Sequence, residues 1–163
     1  MTADSHIGNC AASGDETYAW LGRVLHGFAH AEQAIGKLSQ GLDLSISQGS
    51  LSSLNHLLQR LNNSGDRKAI ALAKRIARWQ VNRHYRNHLA HATIKTLWDQ
   101  KGDMVFVTRH LPLDADDVSP DRVWSAAERK EFLRQVSNDS RSISDYVRNL
   151  LADNDAIKKL RQP

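Results

Sequence analysis

Apolar residues recur at three- and four-residue intervals over several stretches of the chain, and this spacing puts side chains on one face of an α-helix. Ala19 or Trp20, Val24, Phe28, Ala31, Ile35 and Leu38 follow it and predict a first helix over 16–40, stopped at Gly41. Residues 1–15 are rich in Ala, Ser, Gly, Asp and Asn without a period, and are predicted to be a disordered tail. The stretch 41–50 reads as a loop, in which the alternation of Leu42, Leu44 and Ile46 allows a short extended piece. Leu51, Leu54, Leu57, Leu58 and Leu61 then predict a short amphipathic helix, closed by Asn62-Asn63-Ser64-Gly65. Asp66 suits the N-cap of a long third helix running to about Ala92. Its apolar side uses Ile70, Ala73, Ile76, Ala77, Val81, Tyr85 and Leu89.

The pattern then changes. Residues 93–98 and 104–108 are strand-like, and the spacer 99–103 fits a hairpin turn. A loop bearing Pro112, Pro120 and the acids Asp114, Asp116, Asp117 and Asp121 follows. Ser125-Ala126-Ala127-Glu128 matches a capping box and opens a last long helix with the stripe Phe132, Val136, Ile143, Val147, Leu150 and Leu151. Residues 155–160 extend it after a break. The predicted fold is therefore all-α: an antiparallel helical bundle of four to five helices, with a small β-hairpin inserted before the last long helix. One domain over 16–163 accommodates it. A lone hairpin is marginal in water, so it must pack on the bundle or on another subunit.

Composition narrows the class only slightly. The chain has 163 residues, enough for a core without metal or disulfide staples. Cys10 is its only cysteine, which excludes an internal disulfide and a cysteine-based zinc cluster. No signal-like start and no apolar run near the roughly 20 residues of a membrane helix are present, so a cytoplasmic protein is expected. The net charge of +4 is compatible with a nucleic-acid partner.

The distribution of charge says more. From Arg67 to Trp98 there is no acid, but Arg67, Lys68, Lys74, Arg75, Arg78, Arg83, Arg86 and Lys95 are present. Inside that segment Arg86-Asn87-His88-Leu89-Ala90-His91 packs a permanent cation, an amide and two imidazoles into six residues. With about 100° per residue, Arg83, Asn87 and His91 share one drifting helical stripe, and the flexible stem of Arg86 can bring its guanidinium round to it. His84 and His88 form a neighbouring ridge. Such residues suit cleavage of an RNA phosphodiester by its own 2′-hydroxyl. An imidazole moves the proton, a guanidinium stabilises charge on the phosphate, and an amide holds one of them in place. The scheme needs no metal or other cofactor, but it does need a second histidine, from this chain or from a partner copy.

The hexamer resembles the RNxxxH form of the R-x4-6-H motif of the HEPN superfamily, named for its occurrence in higher eukaryotes and prokaryotes. Phe28-Ala29-His30-Ala31-Glu32 on the first helix is similar to the aromatic-plus-Glu pattern often found there. The resemblance implies a helical domain that dimerises to bring two motif helices around a shared cleft. It implies a metal-independent endoribonuclease of a toxin–antitoxin, phage-defence or RNA-processing system, with RNA as substrate and an antitoxin or regulatory protein as a possible partner. Arg86, Asn87 and His91 would be its catalytic residues, with Arg83, His84, His88 and Glu32 as accessory or RNA-binding groups. Other members only bind RNA, nucleotides or partner proteins, and that non-catalytic module is the alternative reading. The toxin branch paired with nucleotidyltransferases commonly has Tyr two residues after the motif histidine; here that position is Thr93.

Competing assignments stay open. Arg83 to His88 also fits R-x4-H, which would make His88 the working histidine. The cations from Arg67 to Arg78 either solvate the outer helix face or track RNA. His26 and His30, with His84 and His88, could form a four-histidine metal site, but lining a helix interface suits the first pair better. Glu32 is expected to pair with Arg83 or Arg86. Trp79, Trp98 and Trp124 either stack bases or pack the core.

Overall fold

The computed structural model describes residues 7–44, 51–110 and 121–161. They form α1 (Ile7–Gly41), α2 (Leu51–Asn63), α3 (Arg67–His91), β1 (Ala92–Trp98), β2 (Met104–His110), β3 (Arg122–Trp124), α4 (Ala126–Leu151) and α5 (Asn154–Arg161). The strands make one antiparallel sheet in the order β1-β2-β3. The fold class is thus the expected one, with two extensions. α1 starts at Ile7 instead of Glu16. Adding residues to an already nucleated helix costs little even where no apolar period supports it. The hairpin gains β3, whose three residues are too short to show a period. Ile46 and the acids Asp114, Asp116 and Asp117 lie outside the described residues.

Two compact units divide the chain. One comprises residues 1–26 and 84–135, the other residues 27–83 and 136–163. In the first, the register pairs Thr96 with Phe106 and Phe106 with Trp124, and likewise Ile94 with Thr108 and Thr108 with Arg122. Paired residues share a sheet face, so this face carries Phe106, Trp124 and Thr108, all wholly buried. Trp20 packs tilted on Trp124 and edge-on to Phe106, with centroids 5.4 and 5.7 Å apart, and Phe132 lies 5.1 Å from Trp124. Thr17 and Thr96 join their hydroxyls at 3.0 Å. Arg129 ties the layers together. Its carbonyl accepts from Trp20 Nε1, its guanidinium donates to the carbonyls of Met104 and Trp124, and it lies 3.7 Å over the Phe106 ring. Burial pulls its pKa down, and Glu16 opposes that shift.

The hairpin turn is built by Asp99. Its Oδ1 accepts from the backbone N–H groups of Lys101 and Asp103 at 2.8 and 2.9 Å. Gly102 supplies the left-handed residue, with φ 82°.

The regular elements described in the second unit are all helices, with Phe28, Leu38, Leu57, Leu61, Leu72, Ile76 and Ile143 wholly buried. Arg75 bonds Ser142 and Arg78 bonds Asp139, so α3 and α4 run antiparallel there. Gly27 lets α1 approach α4 closely, since a Cβ there would meet Val136 Cγ1 at 2.6 Å. Asp66 Oδ1 caps α3 as expected, accepting from Lys68 and Ala69 N–H at 2.8 and 2.9 Å. The end of α1 uses a different residue from the expected one. Leu44 N–H donates to the Ser39 carbonyl and Asp43 N–H to that of Gln40, around Asp43 at φ 55°. This is a Schellman arrangement with Asp as its left-handed residue. Gly41 serves packing instead: a Cβ there would meet Leu151 Cδ2 at 2.7 Å, and its carbonyl accepts twice from Arg161.

The α4 capping box forms as the sequence predicts. Ser125 donates to Glu128 Oε2 through its backbone N–H at 2.9 Å and its hydroxyl at 2.8 Å, while Glu128 N–H donates back to Ser125 Oγ at 3.2 Å. The Ser125 backbone N–H, then its hydroxyl, holds the Glu128 carboxyl below the ordinary carboxylate range. A depressed acid contributes stability above its unfolded pKa and loses it as pH falls through the folded value. Ser125→Ala should cost about 1 kcal/mol in urea unfolding near neutrality, and the gap to wild type should narrow below about pH 4. An equal gap at all pH values would contradict this account.

Candidate functional site

The motif lies on the last turns of α3, which passes straight into β1 at Ala92. Leu89 is buried, Arg86 and His88 are half-buried, and Asn87 and His91 are exposed. Arg86 Nη1 donates to Asn87 Oδ1 at 3.2 Å. The guanidinium therefore reaches round the helix, as its long stem allows, towards the stripe that carries Asn87 and His91. Basic groups at a helix C-terminus also suit its partial negative charge.

His88 turns to the sheet. Its Nε2 lies 3.0 Å from Thr108 Oγ1. That oxygen also accepts from Trp124 Nε1 at 3.1 Å and donates to the Arg122 carbonyl at 3.3 Å. The Arg122 guanidinium sits 4.5 Å over the Tyr85 ring and 3.9 Å over that of Trp124. His84 rests against Tyr85 at 3.8 Å between centroids and is itself exposed. Thr108 and Arg122 were not among the residues expected from sequence. One signal was available for each: Thr108 alternates in phase with Phe106 and Arg122 with Trp124, so both fall on the packed face.

The other expected groups belong to the helical unit. Arg83 Nε lies 3.6 Å from Glu32 Oε1, one of the two pairings expected for Glu32. That nitrogen, like Trp79 Nε1, is buried without a hydrogen-bond acceptor. Further along α3, Arg78 pairs with buried Asp139 and Lys68 with Asp153. Arg75 donates to Ser142 and lies over the Tyr146 ring. The segment is acid-free in sequence only, because α1 and α4 supply its counter-charges. Of its N-terminal cations, Lys68, Arg75 and Arg78 are thus paired with groups from other parts of the chain. His30 Nδ1 lies 3.1 and 3.2 Å from the hydroxyls of Ser140 and Ser144, so it faces α4. Trp79 and Trp124 are core residues, which leaves Trp98 as the exposed one of the three tryptophans considered for base stacking. Val81 and Ala77, expected on the apolar side of α3, are exposed, while Trp79 is buried.

Among the described residues no three His, Cys, Asp or Glu side chains come together to hold a metal ion. None of their helices is long and apolar enough to cross a membrane. The chain matches no family model, no curated protein and no solved structure. What it does must therefore be argued from its own residues. For the Arg122 stack, Arg122→Gln should lower unfolding stability by about 1 kcal/mol, the worth of a partly shielded cation–π contact. An unchanged denaturation midpoint would mean the stack contributes nothing.

Proposed function

We propose that the chain is a metal-independent endoribonuclease of HEPN type, which cleaves RNA by attack of the 2′-hydroxyl on the adjacent phosphorus. The observation that carries this reading is the joined Arg86–Asn87 pair, with exposed His91 one turn further along the same stripe. Arg86 would clamp the phosphate oxygens, where a planar fork of donors is worth most. Asn87 would orient that fork, as its Oδ1 already does. His91 would move the proton, a role suited to an imidazole near neutral pH.

A proton must leave the 2′-hydroxyl and another must reach the departing 5′-oxygen. One histidine cannot do both in a single step, so the second comes from His88 or from a second copy of the chain. A homodimer with a shared cleft is the arrangement proposed, in a toxin, phage-defence or RNA-processing role. The frame of Arg86 and His91 is preferred to that of Arg83 and His88 because Asn87 follows Arg86 and bonds it.

Purified protein incubated with RNA in EDTA should yield ends bearing 2′,3′-cyclic phosphate and 5′-hydroxyl. His91→Ala and Arg86→Ala should each slow cleavage by about 100-fold or more. Cleavage that needs added metal, or that survives both substitutions, would reject the mechanism. RNA recovered intact but bound in a salt-sensitive manner would replace it with a non-catalytic binding module.

A further inference from the structure

Thr108 Oγ1 stands at the meeting point of three hydrogen bonds, and its side chain is wholly buried, so water does not compete for it. A hydroxyl has one proton to give and two lone pairs with which to accept. An indole N–H can only donate, so Trp124 Nε1 takes one lone pair at 3.1 Å. A carbonyl can only accept, so the Arg122 oxygen at 3.3 Å takes the hydroxyl proton. One lone pair remains for His88 Nε2 at 3.0 Å, and it can be filled only if that nitrogen carries a proton. In the opposite arrangement Thr108 donates to His88. Two oxygen acceptors would then face each other at 3.3 Å with no proton between them, an unfavourable contact in a buried layer.

We infer that Thr108 is a positioning residue that holds His88 as the Nε2–H form in both its neutral and its charged state. The cationic ring fits equally well, since both of its nitrogens donate. Thr108 also fixes where the ring lies, because its own position is set by Trp124 and by the pairing of β2 with β3. The Nε2–H assignment stands on this geometry alone. Its use in catalysis, with His88 as the second histidine of RNA cleavage, rests on the nuclease reading.

The test is a long-range proton–nitrogen correlation spectrum of the uniformly 15N-labelled full chain, at a pH where His88 is neutral. Wild type should show the Nε2–H pattern in excess of the Nδ1–H form by about tenfold or more. Thr108→Ser keeps the hydroxyl and should keep that pattern. Thr108→Val keeps the shape but removes the acceptor, and should shift the ratio towards a mixture. An Nδ1–H pattern in wild type, or a ratio unchanged in Thr108→Val, would overturn the inference. If Thr108→Val does not fold, the wild-type and Thr108→Ser spectra still decide it. RNA cleavage by the same samples is read separately: absence of cleavage in wild type counts against the nuclease reading and leaves the tautomer result standing.

Discussion

A buried indole N–H must find an acceptor, and this demand on Trp124 organises the sheet-bearing unit. Trp124 is wholly buried and donates to Thr108, itself wholly buried. Burying a large aromatic ring contributes strongly to folding, but an orphaned N–H would cancel much of that gain. The side chain that meets the need also touches His88, so the end of α3 is registered against β2 and β3 by a hydrogen bond as well as by packing. Arg122 closes the arrangement from β3 by lying on Tyr85 and Trp124. A short third strand that would be marginal alone is thus fastened to both a helix and its neighbouring strand.

The same economy governs the cations of α3. An arginine-rich helix invites a reading as an electrostatic surface, yet Arg78 and Arg83 face acids from neighbouring helices. The Arg78–Asp139 pair has one nearly buried partner, and exposed ion pairs contribute little. Towards the C-terminal turns of α3, Arg86 is held by Asn87.

Much of the architecture was legible from periodicity. Long apolar stripes marked α1, α3 and α4, while Asp66 and Ser125 marked where two of them begin, because a capping side chain acts on backbone only two or three residues away. Local rules failed where distant chain decides. Gly41 looked like a helix stop, but the left-handed residue is Asp43 and the missing side chain makes room for Leu151. Val81 had the right spacing for the core but is exposed, while Trp79 is buried. The counter-charges of the basic helix lie far away along the chain, as with Arg78 and Asp139 at a separation of 61. Of the motif residues, type and order were readable, and so was the reach of Arg86 round the helix. The setting of His88 was not, because it depends on a strand pairing that brings Thr108 to it from 20 residues away.

The borders of the two units fall within α1, α3 and α4, and each unit is completed by part of α4. Trp20 meets the Arg129 carbonyl across 109 positions, and Arg161 meets that of Gly41 across 120. A ribosome delivers the chain from its N-terminus, so neither core can close until most of the polypeptide has been made. The apolar stripes of α1 and α3 must wait uncovered through that interval, when nascent chains are most exposed to aggregation and to chaperones. The timing of synthesis, and not only the final packing energy, thus bears on how much of this protein reaches its folded form.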